Sequence, residues 1–324
     1  MTQIKSHIRP TRRPGELGVH SIDHFNLMVP SLKDAERFYL SFGLDVRAEG
    51  DALSVLTLGA AHRWGALVEG PQKKLSYLSF GAFADDLPRF REKLQSCNVR
   101  QIDPPPGFES NGIWFRDPDG LLIEVRVGEK TSPNEKPVCI NEQGRIGAQN
   151  APNRSAVSPV RPRRLAHILI FASDVARAIH FYTSVLGLRL SDRSGDGIAF
   201  MHGIHGSDHH LIALAKSDGP GLHHLSWDVE SIHQIGLGAM QMADKGFSAG
   251  WGLGRHVLGS NYFHYVRDPW GSYSEYSSDI DYIPVNHDWQ AGDHSADDAF
   301  YVWGPVPPAD FAFNYETAVP GSDR

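Results

Sequence analysis

The sequence predicts an α+β protein built from four βαβββ modules that pair into two domains. Apolar segments of strand length alternate with amphipathic helices, and the order of elements in residues 20–127 returns in residues 164–278. The recurrence extends to matching turn sequences and to a Glu seven residues after the Asp of each turn. An internal repeat of this size outranks local propensity in fixing the architecture.

The first module begins the N-terminal domain, residues 20–127. Ile22–Val29 is apolar and alternating enough for a strand, and Ser31 is a suitable N-cap for an amphipathic helix that ends at Gly43. Short strands are expected at Leu53–Leu58 and Gly65–Val68.

The second module repeats this order. Leu75–Ala82 is a predicted strand, and Asp85 precedes an amphipathic helix. Ile113–Arg116 and Leu121–Val127 form a predicted hairpin, since the intervening DPDG places Pro and Gly in turn positions.

The second domain, residues 164–278, follows the same plan. Leu165–Ala172 is a predicted strand, and Asp174 caps a helix that ends at Gly187. LSYLSF (Leu75–Phe80) aligns with LHHLSW (Leu222–Trp227), and FRDPDGLLIE aligns with VRDPWGSYSE. We therefore expect the second domain to be a duplicate of the first.

Three segments lie outside the repeat. Residues 1–19 are a predicted N-terminal arm, and the aperiodic residues 128–163 are a predicted surface linker between the domains. Residues 279–324, rich in Asp, Pro and Trp, are expected to form a tail that folds back as a lid over a site.

Composition excludes several classes of function. The 324-residue chain is 41% hydrophobic and 21% charged, and its net charge of −7 comes without a basic patch, which argues against nucleic-acid binding. The longest apolar run, Leu165–Ala172, is too short to span a bilayer, and no apolar stretch follows the basic N-terminus, so we expect a cytoplasmic protein without membrane association. Of the 17 histidines, 13 follow residue 160, which indicates that the two halves do different work.

The repeat locates candidate metal ligands by comparison. The equivalent pairs are His24 with His167, Tyr77 with His224, and Glu124 with Glu275. Only the second half has His at the middle position, which completes the two-histidine, one-carboxylate set of non-haem Fe(II) sites. Each residue alone is more often structural, and it is their joint occurrence at matching positions that predicts a metal site. His223, beside His224, remains a competing inward-facing residue.

The segment Gly254–Tyr276 holds further candidate chemistry. His256, Tyr265 and Glu275 fall there at offsets of 9 and 10, on two predicted strands around the turn DPWG. Side chains on adjacent strands of one hairpin can point at a single spot, so this segment is expected to face the metal.

This segment resembles a known family signature: Arg255-His256, Tyr265 nine residues on, the turn Asp268–Gly271, and Glu275. The second half resembles the type I extradiol ring-cleavage dioxygenases of the vicinal oxygen chelate superfamily, which have a glyoxalase-like fold. The resemblance covers roughly residues 20–278.

The resemblance implies a non-haem Fe(II) centre, with Mn(II) also accepted, that inserts both atoms of O2 into a catechol-type aromatic substrate, and it implies a homo-oligomer. His210 would lie on the side where oxygen binds, and it would stabilise the reduced oxygen and protonate it. His209 is the competing choice, one residue earlier in the strand register. His256 and Tyr265 would bind the catecholate oxygen and help to remove its proton. The implied residues are metal ligands His167, His224 and Glu275, and catalytic residues His210, His256 and Tyr265.

Two other functions fit the fold class. A glyoxalase-like isomerase or lyase would use metal ligands from two modules, and a non-catalytic binding protein would need a cavity without metal ligands. Neither requires the three acid–base residues together. Of the remaining histidines, His202 could line the pocket, since it leads into the strand before His210, but it is interpreted as a solvated loop residue. His264 is expected to point to the opposite face.

Overall fold

The computed structural model of the protein describes residues 10–108, 110–139 and 144–317. The N-terminal half contains, in order, β1 Ser21–Val29, α1 Leu32–Phe42, β2 Asp45–Glu49, β3 Ala52–Leu56, β4 Arg63–Glu69, β5 Lys74–Ala82, α2 Leu87–Ser96, β6 Ile113–Arg116 and β7 Leu122–Val127. The C-terminal half contains β8 Arg164–Ala172, α3 Val175–Leu186, β9 Arg189–Ser194, β10 Ile198–His202, β11 Ser207–Asp208, β12 Ile212–Lys216, β13 Gly221–Asp228, α4 Ile232–Asp244, β14 Gly250–His256, β15 Tyr262–Arg267 and β16 Tyr273–Ser278. The tail adds β17 Tyr282–Ile283, β18 Gly292–Asp293, α5 Ala296–Ala299 and β19 Tyr301–Trp303.

Each half forms one sheet around the first strands of its two modules. The N-terminal sheet has the order β2-β3-β4-β1-β5-β7-β6, with β1 and β5 antiparallel at its centre. The C-terminal sheet has the order β18-β9-β10-β12-β8-β13-β16-β15-β14-β19, and β8 and β13 pair in the same way. In the second module an isolated bridge from Ile102 to Trp114 takes the place of the first strand after the helix. The predicted α+β class with repeated modules is confirmed.

Local sequence signals explain the helix ends. The Ser31 hydroxyl accepts a hydrogen bond from the Asp34 amide, and the Asp174 carboxylate does the same for Arg177. Gly43 ends α1 with φ +98°, a conformation that glycine adopts without strain. The predicted start at Asp85 was early, since α2 begins at Leu87 after a 3₁₀ turn.

The two halves pack through their helices and share one apolar core. Phe42 of α1 stacks on Tyr276 of β16 with ring centroids 3.8 Å apart, and the Tyr276 hydroxyl donates to the Phe42 carbonyl. Tyr182 of α3 donates to Asp117, the Asp of the first-half turn, at 3.2 Å. The C-terminal sheet is therefore held against a second, similar unit.

The chain between the sheets, residues 128–163, is irregular apart from a 3₁₀ turn at Arg154–Ala156, and residues 140–143 of the predicted linker lie outside the described part. Of the predicted N-terminal arm, residues 1–9 are likewise outside it. In the described part of the arm, Arg12 forms ion pairs with Asp85 and Asp86 of the N-terminal half. None of the helices within the described ranges combines the length and apolar character needed to cross a bilayer.

The tail extends both edges of the C-terminal sheet. β18 pairs with β9 at one edge and β19 pairs with β14 at the other, so residues 294–300 lie between opposite edges. Further on, Glu316 accepts hydrogen bonds from the amides of Leu75 and Leu222 and pairs with buried Lys73. These contacts anchor the tail against both halves.

Candidate metal centre

The three predicted ligands lie on three neighbouring strands. His167 is on β8 and Glu275 is on β16, and both are directly opposite Ser226 of the intervening strand β13. His224 precedes Ser226 by two residues and therefore faces the same side of the sheet. The alternation of the sheet thus brings two imidazoles and a carboxylate to one point.

Their ligand atoms converge. His167 Nε2 lies 3.2 Å and His224 Nε2 lies 3.7 Å from Glu275 Oε2. All three side chains are buried, and all three ligand atoms lie within 4.8 Å of one another. His224 Nε2 and Glu275 Oε2 are buried without a hydrogen-bond partner in the described chain. Two neutral imidazoles and one carboxylate suit Fe(II) or Mn(II), and a bound ion would satisfy these atoms.

Electrostatics favours the protonation states that a metal requires. Burial lowers the pKa of His224 well below its ordinary value, so this imidazole is neutral at pH 7. Burial alone would raise the pKa of Glu275, but the adjacent His167 and His256 hold it below its ordinary value. The set therefore presents a carboxylate and a neutral imidazole lone pair.

The structure resolves the choice between His223 and His224. His223 points to the Phe311 carbonyl, which its Nε2 reaches at 2.8 Å, and its Nδ1 lies 2.7 Å from His224 Nδ1. The Nε2 of His224 consequently points toward Glu275, and His223 orients the His224 ring through the contact between their Nδ1 atoms.

His210, and not His209, lies beside the ligand set. Its ring centroid is 4.0 Å from that of His167, while His209 turns away to Asp192 at 2.8 Å. Burial, followed by the nearby His167, lowers the pKa of His210 well below its ordinary value. A neutral imidazole therefore sits next to the ligand cluster.

His256 and Tyr265 form a pair on the hairpin. His256 Nε2 lies 2.8 Å from the Tyr265 hydroxyl and 3.9 Å from Glu275 Oε1, and its Nδ1 lies 2.9 Å from the Phe300 carbonyl. Burial raises the pKa of Tyr265 well above its ordinary value, so the phenol is protonated. A proton can therefore pass from the cavity through the Tyr265 hydroxyl to His256.

A cavity of about 330 Å³ opens onto these side chains. His167, His210, His224, His256 and Tyr265 lie at its polar end, next to Asn261. The remaining wall is mainly apolar, and the tail supplies part of it. The apolar lining includes Leu169, Ile198, Phe200, Leu258, Ala299, Phe300, Phe311 and Ala312.

Asn261, Asp192 and individual residues of the tail also belong to this site, and the sequence did not indicate them. Asn261 donates from its amide to Glu275 Oε1 at 3.1 Å and to Ser277 at 3.0 Å, which orients the carboxylate. Its position before β15, five residues after His256, was the available signal. Residues of the irregular tail have no repeat partner, so comparison of the halves could not find them.

The interpretation of His202 as solvated was wrong. His202 ends β10 and is buried, with its Nδ1 2.8 Å from the Ser191 hydroxyl. It does not line the cavity described above. His264 also lies outside that lining, and burial lowers its pKa to about 4.

Comparison with known proteins agrees with the fold and the geometry. A family model described as the Glyoxalase/Bleomycin resistance protein/Dioxygenase superfamily matches residues 21–125 and 164–276. The chain is 50% identical over 308 residues to Metapyrocatechase 2 of Cupriavidus necator, covering 95% of each chain. It is 27% identical over 199 residues to an iron-dependent extradiol dioxygenase of Rhodococcus jostii, covering 56% of each.

Among solved structures, the Mn(II)-bound glyoxalase of Novosphingobium aromaticivorans has the same fold, with a TM-score of 0.72 at 24% identity over 90% of this chain and 93% of that one. The chain belongs to the Glyoxalase/Bleomycin resistance protein/Dioxygenase superfamily and, within it, to the extradiol ring-cleavage dioxygenases. The family expected from the sequence is confirmed.

Proposed function

We propose that His167, His224 and Glu275 hold Fe(II), or Mn(II) in its place, and that the chain opens a catechol-type ring beside its two hydroxyls with both atoms of O2. The reaction class, extradiol cleavage by an oxidoreductase of aromatic catabolism, is that of its relatives. The observation that supports the proposed site is the convergence of His224 Nε2 and Glu275 Oε2, buried without partners, beside His167. A metal held by these residues would supply a Lewis-acidic, redox-active centre.

Tyr265 and His256 remove the substrate proton. A carbonyl oxygen can only accept, so His256 donates its Nδ1 proton to Phe300 and has a lone pair on Nε2. The Tyr265 hydroxyl then donates to that lone pair, and its own oxygen is available to a catechol hydroxyl. A proton taken from the substrate can pass through Tyr265 to His256, where the Glu275 carboxylate stabilises the resulting imidazolium.

His210, whose ring packs beside that of His167, acts as a neutral acid–base group. It lines the same cavity, and its ring packs on His167 and Phe200. A neutral imidazole held at the reacting centre can take up a proton and return it to the departing oxygen.

The cavity indicates a single aromatic ring with small, uncharged substituents. Its volume is near the lower end of the range for small-molecule sites, and its wall beyond the histidines is apolar. Lys216 is the single Lys or Arg among the described lining residues, and its ammonium already contacts the Ser173 carbonyl. A carboxylate on the ring would therefore lack a partner.

The test is turnover of Fe(II)-loaded protein. The protein is loaded under anaerobic conditions and mixed with catechol, methylcatechols and a carboxylated catechol in air, and O2 uptake and the yellow ring-opened product are followed. We expect turnover of the first two and little of the third. Iron-loaded protein that consumes no O2 with any of them would refute the proposal.

The glyoxalase-like alternative is tested in the same preparation, because isomerisation of a hemithioacetal consumes no O2. Activity of this kind with Mn(II) and without catechol cleavage would favour that function. If the metal-loaded protein binds a catechol without turning it over, the result would favour the third function, a non-catalytic binding protein.

We also propose that the chain works in the cytoplasm as a homo-oligomer. The edge strand β19 and its continuation expose Val302, Trp303 and Val306, an apolar surface on an unpaired sheet edge. Light scattering after size-exclusion chromatography should give a multiple of 35.8 kDa. Val302→Lys places a charge on this apolar surface and should shift the protein toward the mass of the monomer. A monomeric wild-type protein would contradict the proposal.

A further inference from the structure

Two adjacent-histidine pairs in the site are joined in the same way. His209 Nδ1 lies 3.1 Å from His210 Nδ1, and His223 Nδ1 lies 2.7 Å from His224 Nδ1. Two ring nitrogens at this distance share one proton, which one imidazole donates and the other accepts. The direction of each bond determines which nitrogen of the second histidine is left free.

An obligate acceptor determines the direction in the second pair. His223 Nε2 lies 2.8 Å from the Phe311 carbonyl and must donate to it. Neutral His223 therefore accepts at Nδ1, and His224 donates from Nδ1 and keeps a bare Nε2 for the metal site.

The first pair repeats the pattern with a carboxylate. His209 Nε2 lies 2.8 Å from Asp192 Oδ2, and a carboxylate only accepts. His209 therefore donates from Nε2 to Asp192, and its other ring nitrogen, Nδ1, accepts the proton of His210 Nδ1. His210 is then left with a bare Nε2, the form that can take up a proton and release it again.

The tail provides or holds the acceptor in every case. Phe311 and Phe300, whose carbonyls receive His223 and His256, belong to the tail. Asp192 lies on β9, but its Oδ1 accepts from the Gly292 amide at 2.8 Å and from His294 Nε2 at 2.9 Å. Three separate tail contacts thus lead to three histidines of the cavity.

We propose that the C-terminal tail fixes the tautomers of His210, His224 and His256, and that Asp192 and His209 are positioning residues for the proton transfer at His210. The effect on turnover rests on the proposed function, whereas the position of the protons does not. The tail therefore prepares the site for acid–base chemistry in addition to covering it.

Asp192→Asn tests this directly, because its orientation is forced. The Gly292 amide can only donate, so the new carboxamide must turn its oxygen to Gly292 and its NH2 to His209. His209 then accepts at Nε2, donates from Nδ1, and leaves His210 protonated on Nε2. In that form Nδ1 of His210 faces an N–H and cannot take up a proton.

The matched control is Asp293→Asn. Asp293 lies in the same β18–β9 contact, where it pairs with Arg193 and the Gly195 amide, but it does not contact His209. Both variants are loaded with Fe(II) for kinetics, and iron content is measured. The diamagnetic Zn(II) forms, labelled with ¹⁵N-histidine, show by NMR which ring nitrogen carries each proton.

For Asp192→Asn we expect kcat to fall about 10²–10⁴-fold, with KM and iron content within about threefold of wild type. The His210 proton should move from Nδ1 to Nε2, while those of His224 and His256 stay in place. Asp293→Asn should match wild type in every measurement. An unmoved proton, a doubly protonated His209, or equal loss in both variants would overturn the proposal.

A second pair of variants covers the case in which Asp192→Asn does not fold. His209→Asn offers an oxygen near the position of Nδ1 and can still accept from His210, whereas His209→Leu cannot. We expect His209→Asn to retain at least about tenfold more kcat than His209→Leu. Equal activity of the two would overturn the role of His209. If wild type itself cleaves no catechol, the proposed function fails, and the NMR arm still decides the tautomers.

Discussion

The two halves of the molecule place equivalent side chains in the same register and use them in opposite ways. In the N-terminal sheet, His24 and Glu124 lie directly opposite Ser79, just as His167 and Glu275 lie opposite Ser226. Tyr77 stands two residues before its serine, as His224 does. Strand geometry therefore creates the same three inward positions twice.

In the N-terminal half these polar atoms satisfy one another. His24 Nε2 lies 2.9 Å from the Tyr77 hydroxyl, and its Nδ1 lies 2.6 Å from Asp23. Glu124 accepts from the hydroxyls of Ser79 and Ser110. The C-terminal half instead leaves an imidazole nitrogen and a carboxylate oxygen without partners. A closed hydrogen-bond network stabilises the fold, whereas unsatisfied ligand atoms at one point indicate a metal site.

The largest expected effect is a difference in iron binding between variants of His224 and Tyr77, the equivalent middle residues of the two sets. His224→Ala should abolish iron binding and catechol cleavage, because a His, Glu pair without the second imidazole no longer provides the facial set. Tyr77→Ala should keep full iron content, at a cost in stability of about 3 kcal/mol for the lost aromatic packing. Iron analysis after dialysis, with thermal unfolding alongside, measures both. Iron lost equally in the two variants would mean that the halves are not divided as proposed.

A smaller effect concerns the groups that hold the two glutamates. Asn261→Ala should weaken metal affinity about 10–100-fold, since Glu275 Oε1 loses the amide that orients it. Ser110→Ala removes the corresponding hydroxyl from Glu124 and should leave metal affinity unchanged, with a loss of about 1–3 kcal/mol in the free energy of unfolding. Competition with a metal chelator gives the affinities. A metal-affinity loss in Ser110→Ala would break the comparison.

Much of this comparison could be predicted from the sequence because the repeat is encoded in it. The caps at Ser31 and Asp174 and the shared DPxG turns fixed the frame, and each turn Asp accepts the amide four residues on. Positions His167, His224 and Glu275 followed from alignment with the first half. Periodicity was sufficient wherever the chain was regular.

The other features of the site depend on tertiary contacts, which neither hydrophobic periodicity nor the internal repeat can predict. The inward choice between His223 and His224 is set by a β-bulge between Leu222 and His224 and by the Phe311 carbonyl. His202 is buried with its Nδ1 against Ser191 of β9, and it shares a second cavity with Ile283 and Trp289 of the tail. Asp192 acts through the tail, which approaches it from 100 positions away.

Acid should destabilise the C-terminal half first. Burial lowers the pKa of His202 to about 3 and that of His205 and His264 to about 4. Among the described histidines of the N-terminal half, burial lowers the pKa of His20 to about 4. A depressed folded-state pKa means that the unfolded chain binds more protons, so the stabilisation is complete above pH 6.5 and is lost as the pH falls toward 4. Each unit of depression corresponds to about 1.36 kcal/mol.

Hydrogen exchange of metal-free protein at pH 7 and pH 5 tests this order of loss. We expect protection to fall more in β8–β16 than in β1–β7. His264→Asn, which removes one of the buried titrating groups, should narrow the difference between the two sheets, and His62→Asn serves as the N-terminal control. Equal loss of protection in both sheets would contradict the expectation.

The smallest expected effect is the most informative about what a metal site needs. Tyr77→His restores the His, His, Glu sequence pattern in the N-terminal half, yet we expect the iron content per chain to stay unchanged. Glu124 would still accept hydrogen bonds from Ser79 and Ser110, so no unsatisfied carboxylate oxygen is present at this position. Adding Ser79→Ala and Ser110→Ala frees that carboxylate, and only this triple variant should take up additional metal. Uptake by Tyr77→His alone would show that residue type at the three positions is sufficient, and that the hydrogen-bond partners do not decide between scaffold and metal site.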